Sequence, residues 1–285
     1  MPEGHTLRKL ADDLTAAFAG RRVRVSSPQG RFAADAEQLD RSLVIGADSA
    51  GKHLFLEHEG ERFVHVHLGL IGQLDVHTGV EGGAAGVPDP IGAVRLRMVT
   101  LDDPTDPRPT AYADLRGAII CDLVGAARRA EVLGRLGPDP LRPDADPDLA
   151  WRRISASPRA IGDLLMDQKV LAGVGNVYRA EVLFRHGLDP LLPGRELGRE
   201  RFDAVWADLG DLLRDGVRRG AIDTVRPEHR QCDHGHDRPH GRGCGREVYV
   251  YRRTGEPCRV CGTEVQRRTH ASRNLFWCAS CQSAT

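Results

Sequence analysis

The chain has almost no lysine, no net charge and no long apolar run. Of its 40 basic residues only Lys9, Lys52 and Lys169 are lysines, and 40 acidic residues bring the formal charge to zero. Overall charge therefore gives no indication of an acidic partner. No apolar stretch approaches the roughly 20 residues that cross a bilayer, so no membrane association is expected. The first residues lack the features of a secretory signal, which predicts an intracellular protein with reduced cysteines.

Positive charge is nevertheless concentrated at one end of the chain. Residues 246–285 contain seven arginines and only three acidic residues. A locally basic segment is a candidate nucleic-acid surface, although an isolated basic patch is more often ordinary solvated surface.

The first half of the chain predicts one helix followed by short strands. Leu7, Leu10, Leu14 and Phe18 recur at helical spacing, and Gly20 follows as a terminating residue. Alternating or β-branched runs then predict seven strands at close spacing, which indicates an antiparallel sandwich or barrel. These strands are Arg22–Ser26, Leu43–Ala47, His53–Glu57, Arg62–Leu68, Gln73–His77, Val94–Thr100 and Ala118–Val124.

The second half reads as helical, and its clearest helix carries Phe202, Val205, Leu209 and Leu213 on one face. A Pro- and Asp-rich segment before it is typical of a linker. The predicted organisation is an α+β chain with five parts: an N-terminal β domain (1–133), a linker (134–150), a helical domain (151–228), a polar loop (229–245) and a small C-terminal unit (246–285).

Four cysteines in that C-terminal unit predict a structural zinc site. Cys258 and Cys261 form one Cys-x-x-Cys hook, and Cys278 and Cys281 form a second after an interval of sixteen residues. Two such hooks supply four thiolates to one tetrahedral ion and leave no position for substrate. Within the finger, Arg273 is placed where a hairpin tip presents a guanidinium to phosphate, although taken alone it reads as a surface charge.

A second set of His and Cys side chains lies in the polar loop, at Cys232, His234, His236, His240 and Cys244. Their irregular spacing in a Gly- and Arg-rich segment favours an unstructured tract over a second metal site.

The segment Asp167–Tyr178 contains two glycines just before a predicted helix. Asn176 can cap the following helix, and a helix N-terminus whose N–H groups are exposed by glycines such as Gly175 is a natural phosphate site. An ordinary helix–loop–helix corner is the simpler reading of this motif by itself.

The N-terminal Met1-Pro2-Glu3 suggests a nucleophile. Removal of Met1 would leave Pro2 with a secondary amine whose pKa near 8 leaves a neutral fraction at physiological pH. Such an amine can attack a sugar carbon and form an iminium, as Schiff-base lysines do, and Glu3 can handle protons beside it. Lys52, after a glycine at a strand start, reads by itself as a solvated turn residue.

Together, and in this order, the motifs resemble the formamidopyrimidine-DNA glycosylase / endonuclease VIII superfamily. The resemblance runs through Met1–Gly4, Gly51-Lys52, Leu136–Leu141, Asp167–Tyr178 with Glu181, and Tyr249–Cys258 leading into the finger. It implies an N-terminal β-sandwich flanked by helices, a helix–two-turn–helix domain and a zinc-finger hairpin.

The resemblance also implies a mechanism. Pro2 would displace a damaged base as an iminium, Glu3 would act as acid and base, Lys52 would donate a proton or anchor phosphate, and Arg273 would contact phosphate during δ-elimination. Asn176 would bind phosphate with Gly175 beside it. Leu70 would fill the void left by the flipped nucleotide, and Arg116 would face the orphaned base.

The expected function is therefore a bifunctional DNA glycosylase and AP lyase that acts on damaged double-stranded DNA as a monomer in the cytoplasm, associated with the nucleoid. His5-Thr6 replaces the Pro-Glu usual in the family, and Gly117-Ala118 replace an aromatic wedge. Pro2–Thr6 and Gln29–Phe32 look more like the endonuclease VIII branch, which favours oxidised pyrimidines. The alternatives are an 8-oxoguanine or formamidopyrimidine glycosylase, a non-catalytic DNA-damage binder on the same scaffold, and a sequence-reading zinc-ribbon regulator.

Overall fold

The computed structural model describes residues 2–230 and 247–283 and divides into two compact units, one ending at Arg135 and the other beginning at Leu136. Most of the predicted polar loop, including Cys232–Cys244, lies outside the described residues. Within the described residues, no helix has the length and hydropathy needed to span a bilayer.

The first unit contains two four-stranded antiparallel sheets, with strand orders β1-β6-β7-β5 and β2-β3-β4-β8. The strands are β1 Val23–Ser26, β2 Val44–Ala50, β3 His53–His58, β4 Arg62–His67, β5 Gln73–Val80, β6 Val94–Thr100, β7 Thr110–Arg116 and β8 Ile120–Gly125. Apolar side chains from both sheets, such as Met98, Leu115, Leu56 and Val66, share one buried core. The architecture is therefore a sandwich, in agreement with the predicted antiparallel fold.

One strand, β7, is missing from the sequence prediction. Its central residues include Asp114, a charged residue that rarely indicates a strand interior. In the structure this carboxylate is buried and forms two hydrogen bonds with Arg97 on the neighbouring β6, at 2.7 and 2.8 Å. The ion pair across the sheet satisfies the charge, but the sequence pattern alone does not reveal the partner.

Three helices complete the first unit: α1 Gly4–Phe18, α2 Ala33–Leu39 and α3 Ala126–Gly134. Helix α1 buries Leu7, Leu14 and Phe18 in the common core, as its periodicity predicts. The chain leaves this helix through Gly20, whose φ of 76° lies in the left-handed region that glycine adopts without strain.

The described residues of the second unit form helices and one hairpin. Its helices are α4 Pro147–Ser155, α5 Ile161–Leu164, α6 Asn176–Arg185 and α7 Arg199–Arg219, and its hairpin consists of β9 Val265–His270 and β10 Arg273–Cys278. The predicted apolar face of α7 lies in the core, with Phe202, Val205 and Leu209 buried. A second core joins α6 to the cysteine-rich segment through Phe184, Tyr249 and Phe276.

The segment predicted as a linker belongs to this second unit. The backbone N–H of Gly137 donates to the carbonyl of Gln168 at 2.8 Å, and Ala172 donates to Pro138 at 2.9 Å. A Cβ at Gly137 would lie 2.5 Å from the Val170 backbone, so only glycine allows this approach. The start of this segment is therefore packed structure, because Gly137 and Pro138 pair with the loop before α6.

Candidate functional site

The N-terminus lies at the start of α1. Pro2 is half-buried, and Glu3 is the residue before the helix, with no exposed surface. The Glu3 carbonyl accepts the backbone N–H groups of Thr6 and Leu7, which fixes the residue at the first turn. Burial lowers the pKa of the neighbouring His5 to about 4, so this histidine is neutral at physiological pH.

Lys52 occupies the tight turn between β2 and β3. Ala50 and His53 pair across the two strands, so Gly51 and Lys52 form a two-residue hairpin connection. Gly51 has a φ of 58°, and glycine at the first central position is typical of such turns. The hairpin therefore defines the position from which the lysine side chain projects.

The register of α1 on β2 relates the N-terminus to this turn. Thr15 exchanges hydrogen bonds with the backbone of Ala47, whereas Arg8, nearer the helix start, pairs with Asp48 at 3.6 Å. By these contacts α1 runs in the opposite direction to β2, so that the start of α1 lies towards the end of β2 and the Lys52 turn.

Three histidines lie beside the Lys52 turn. His53 Nδ1 and His65 Nε2 are 2.9 Å apart, and the rings of His53 and His67 are 4.9 Å apart. Burial lowers the pKa of His53 to about 3 and that of His65 to about 4. Burial and the positive charge of Lys52 also lower the pKa of His67. The three rings are neutral at physiological pH, and the sequence motifs gave no indication that they cluster.

The loop between β4 and β5 presents apolar side chains to solvent. Leu70 is 61% exposed and the neighbouring Ile71 is 84% exposed. The loop is anchored by His67, whose Nδ1 accepts the backbone N–H of Gly69 at 3.1 Å. Ile119 is also exposed and packs at Gly69, where a Cβ would lie 2.8 Å from its side chain. An exposed apolar cluster of this kind marks an interaction surface.

Arg116 is held by acceptors within the first unit. Its guanidinium donates to Asp75 at 2.8 Å, to Asp114 at 3.0 Å and to the carbonyl of Ile91 at 2.9 Å. Contact with an orphaned base would require exchange of at least one of these hydrogen bonds, and this role stays a prediction.

In the second unit, a closed loop leads into the start of α6. The Gln168 side chain donates to the carbonyls of Met166 and Val174 and accepts the N–H of Gly173, whose φ is 89°. The prediction that Asn176 caps the helix is wrong, because Gly175 occupies the cap position and Asn176 is the first helical residue. The glutamine therefore holds the loop in the conformation that begins the helix at Asn176.

The four cysteines of the finger are close together. Their sulfur atoms all lie within 4.8 Å of one another, with Cys258 and Cys281 at 3.9 Å and Cys261 and Cys278 at 3.4 Å. Zinc bound by four thiolates at about 2.3 Å requires sulfur separations of about 3.8 Å, so this arrangement fits zinc. The predicted ligand set comes together as one group.

Arg273 is exposed at the tip of the β9–β10 hairpin, opposite His270. The turn residues between them, Ala271 and Ser272, both have positive φ, as the tightest hairpin turns require. The tip therefore presents a guanidinium to solvent, where it can reach a phosphate.

Three family models together match most of the chain. The formamidopyrimidine-DNA glycosylase N-terminal domain matches residues 1–119, the formamidopyrimidine-DNA glycosylase H2TH domain matches 136–227, and the zinc finger found in FPG and IleRS matches 255–284. Endonuclease 8 1 of Mycobacterium tuberculosis (strain ATCC 25618 / H37Rv) is 50% identical over 99% of this chain and 100% of its own length. The chain belongs to the formamidopyrimidine-DNA glycosylase / endonuclease VIII superfamily, in its endonuclease VIII-like branch.

Other members are more distant in sequence but cover the same length. DNA-(apurinic or apyrimidinic site) lyase Nei2 of Mycolicibacterium smegmatis is 32% identical over the full length of both chains. Among solved structures, the complex of Lactococcus lactis Fpg with N7-benzyl-Fapy-dG DNA has a TM-score of 0.77 and 19% identity, and covers 99% of this chain and 100% of that chain. This structural likeness establishes that the superfamily fold extends over the whole chain.

Proposed function

We propose that this superfamily member excises oxidised bases, with pyrimidines favoured, through an iminium at Pro2 followed by β,δ-elimination. Membership of the superfamily establishes the general activity, which is that of a DNA glycosylase and AP lyase in base excision repair. The observation that supports the proposal is the register of α1 on β2, from which we infer that Pro2 and the buried Glu3 lie on the side of the Lys52 turn. An amine, a carboxylate and a lysine are the groups that this chemistry requires.

The first step needs the free amine of Pro2 after removal of Met1. Its nitrogen lone pair forms a bond to C1′ of deoxyribose while the bond from C1′ to the base breaks. Glu3, in its acid form, supplies a proton at the sugar as the base leaves with the bonding electrons. The amine then loses its remaining proton, the bond from C1′ to the ring oxygen O4′ breaks, and O4′ takes the proton from Glu3, which leaves a Pro2–C1′ iminium that holds the sugar covalently.

Elimination then cleaves the strand on both sides of the sugar. Removal of a C2′ proton breaks the bond from C3′ to oxygen, and a second elimination breaks the bond from C5′ to oxygen. We assign Lys52 to the leaving phosphate of the first step, as proton donor or anchor. Arg273 contacts phosphate during the second step, and hydrolysis of the iminium regenerates the Pro2 amine.

Each unit of the protein contributes contacts to damaged double-stranded DNA in this proposal. The exposed Leu70 and Ile71 give the first unit an apolar wedge that replaces a flipped nucleotide in the stack. Asn176, at the start of α6, and Arg273 give the second unit its phosphate ligands. One zinc ion, held by the four cysteines, stabilises the hairpin that carries Arg273.

The proposed preference for oxidised pyrimidines rests on membership of the endonuclease VIII-like branch. The curated relatives that match over the full chain include proteins named endonuclease 8, and the residues after Glu3 look like that branch. A panel of duplexes containing thymine glycol, dihydrouracil or 8-oxoguanine tests the assignment. Faster excision of 8-oxoguanine than of both pyrimidines would overturn it in favour of the purine alternative.

Borohydride trapping tests the covalent chemistry. The wild-type protein is expected to form a reduced adduct with thymine glycol duplex, and peptide mass spectrometry is expected to place it on a peptide that begins at Pro2. Pro2→Ala should slow trapping by roughly ten-fold, because a primary amine forms a less reactive imine. Absence of any adduct would favour a non-catalytic binder, and an adduct on a lysine would contradict the role of Pro2.

The scarcity of lysine provides a matched control for Lys52. Lys52→Met is expected to slow strand cleavage and to leave trapping by Pro2 in place. Lys9→Met removes a lysine that pairs with Asp13 on α1 and should leave both steps unchanged. Equal effects of the two variants would show that Lys52 has no special role.

A further inference from the structure

Arg179 is a charged side chain in the interior of the second unit, with 1% of its surface exposed. Its Nη2 donates to the side-chain oxygen of Asn176 and, at 2.9 Å, to the backbone carbonyl of Asn274. Its Nη1 donates to the carbonyl of Gly162 at 3.4 Å. One guanidinium therefore joins α5, α6 and β10, which are distant from one another in the sequence.

Burial of a charge in this position needs an explanation beyond packing. Transfer of an ion from water to the interior costs several kcal/mol, and an apolar side chain of similar volume avoids that cost. Arginine offers instead a rigid, planar set of donors that fixes the relative positions of its acceptors. Arg179 therefore contributes a fixed arrangement of the three groups that accept its hydrogen bonds.

One acceptor orients the first phosphate ligand. The oxygen and nitrogen of an asparagine amide diverge from the same trigonal carbon, so a group bound to one atom lies away from the other. Because Arg179 donates to the oxygen of Asn176, the amide nitrogen is directed away from the guanidinium. A phosphate oxygen can only accept hydrogen bonds, so the nitrogen is the atom of this side chain that can bind it.

A second acceptor fixes the strand that carries the other phosphate ligand. Asn274 follows Arg273 directly, and its carbonyl is bound to Arg179. On the opposite strand His270, which pairs with Arg273 across the hairpin, contacts Asp163 of α5 at 2.8 Å. The hairpin tip is therefore attached to the helices at two points, one on each strand.

We propose that Arg179 is a positioning residue that sets the Asn176 amide and the Arg273 strand at a fixed spacing for the phosphates of one DNA backbone. Arg179 itself is buried and does not reach the DNA. The inference rests on the proposed phosphate contacts of Asn176 and Arg273. It adds Arg179 as the residue that couples these two phosphate ligands. It also adds the Asp163–His270 contact as a second attachment of the hairpin to the helices.

Salt-dependent binding tests this coupling in the full-length, zinc-loaded protein. The probe is a duplex with a tetrahydrofuran site, and the readout is the slope of log K against log salt concentration. Arg179→Met should weaken binding by roughly ten-fold and lower the slope by about 0.9, the value of one lost phosphate contact. A slope and an affinity equal to those of the wild type would overturn the proposal.

A matched variant and a double variant separate positioning from general destabilisation. Arg185→Met removes another arginine of α6, one that binds Asp208 and the carbonyl of Thr224, and should leave the slope unchanged. Arg179→Met combined with Arg273→Gln should have the slope of Arg273→Gln alone, because both changes remove the same contact. Additive losses would contradict action through Arg273.

A milder change covers the case in which Arg179→Met does not fold. Asp163→Asn removes only the charged partner of His270 and should lower both affinity and slope to a smaller extent. Wild-type binding by this variant would remove the second attachment from the proposal. Borohydride trapping of the wild type is measured in parallel, so that failure of the Pro2 chemistry is distinguished from failure of the coupling.

Discussion

The carboxylate of Glu181 accepts the backbone N–H of Tyr249 at 2.6 Å, across 68 residues of sequence. It also accepts the N–H groups of Val250 and Tyr251, both at 2.9 Å, and the hydroxyl of Thr224. The side chain has no exposed surface. A buried anion on α6 is thus stabilised by three consecutive amides of the segment that leads into the finger, and it fixes the path of that segment.

Glu181→Gln should lower the free energy of unfolding of the second unit by about 2–3 kcal/mol, because an amide accepts fewer hydrogen bonds than a carboxylate and leaves buried N–H groups without a partner. Denaturant unfolding followed by tryptophan fluorescence measures the change. Glu200→Gln alters an exposed glutamate in the first turn of α7 and serves as the control. A loss below about 0.5 kcal/mol, the range of ordinary surface changes, would contradict this role.

Acid should destabilise the first unit through His58. This ring has no exposed surface and its Nδ1 lies 2.7 Å from Ser42 Oγ, while burial lowers its pKa from 6.5 to about 4. Between these two values the unfolded chain binds the proton and the folded chain does not. Stability is therefore complete above pH 6.5 and falls by roughly 3 kcal/mol as the pH approaches 4.

Unfolding free energies measured between pH 4.5 and 7.5 check this dependence. His58→Asn keeps a polar group near Ser42 but cannot titrate, so its pH slope should be smaller by about one bound proton. An unchanged slope would assign the acid sensitivity to other buried histidines, such as His5 and His65.

Removal of zinc should unfold the finger and weaken DNA binding. Structural zinc sites contribute about 10–16 kcal/mol of apparent binding free energy at pH 7, more than a segment of this size can replace by packing. Cys261→Ser is expected to lose zinc and to bind a tetrahydrofuran duplex weakly. Cys121→Ser changes a buried thiol of β8 and should retain one zinc per chain by metal analysis. Full DNA affinity in the zinc-free protein would contradict the role of the finger.

Leu70→Ala should slow excision of thymine glycol by roughly ten-fold, because a smaller side chain fills less of the space left by the flipped nucleotide. Its stability should stay within about 0.5 kcal/mol of the wild type, since Leu70 is exposed. Ile45→Ala, which changes another exposed apolar side chain, on β2, is the control in single-turnover assays. Equal rates for the two variants would argue against a wedge at Leu70.

Prediction from sequence succeeds where local spacing carries the information. The four cysteines gather into one cluster because two Cys-x-x-Cys hooks can close on a single ion with little choice of geometry. Helix α1 and its exit at Gly20 follow from the apolar period and from the left-handed φ that glycine accepts. The position of Lys52 in a two-residue turn likewise follows from the glycine before it.

Prediction fails where a charged residue is satisfied by a distant partner. Strand β7 is missed because Asp114 looks like a surface residue until Arg97 is placed beside it. Residues 136–150 look like a linker because the loop that accepts their hydrogen bonds lies some 30 residues later. The role of Arg116 towards DNA stays a prediction, but the sequence does not show that Asp75 and Asp114 bind its guanidinium.

The sequence by itself determined the superfamily and the grouping of the four cysteines, and it predicted the reactive groups, since each of these depends on residue type and short spacing. Only the tertiary structure decided which charges are buried together, namely Glu181 with the Tyr249 segment and Arg179 with Asn176 and Asn274. The physical reason is that a buried charge is stable only with specific partners. Folding brings those partners from far along the chain, where no local pattern records them.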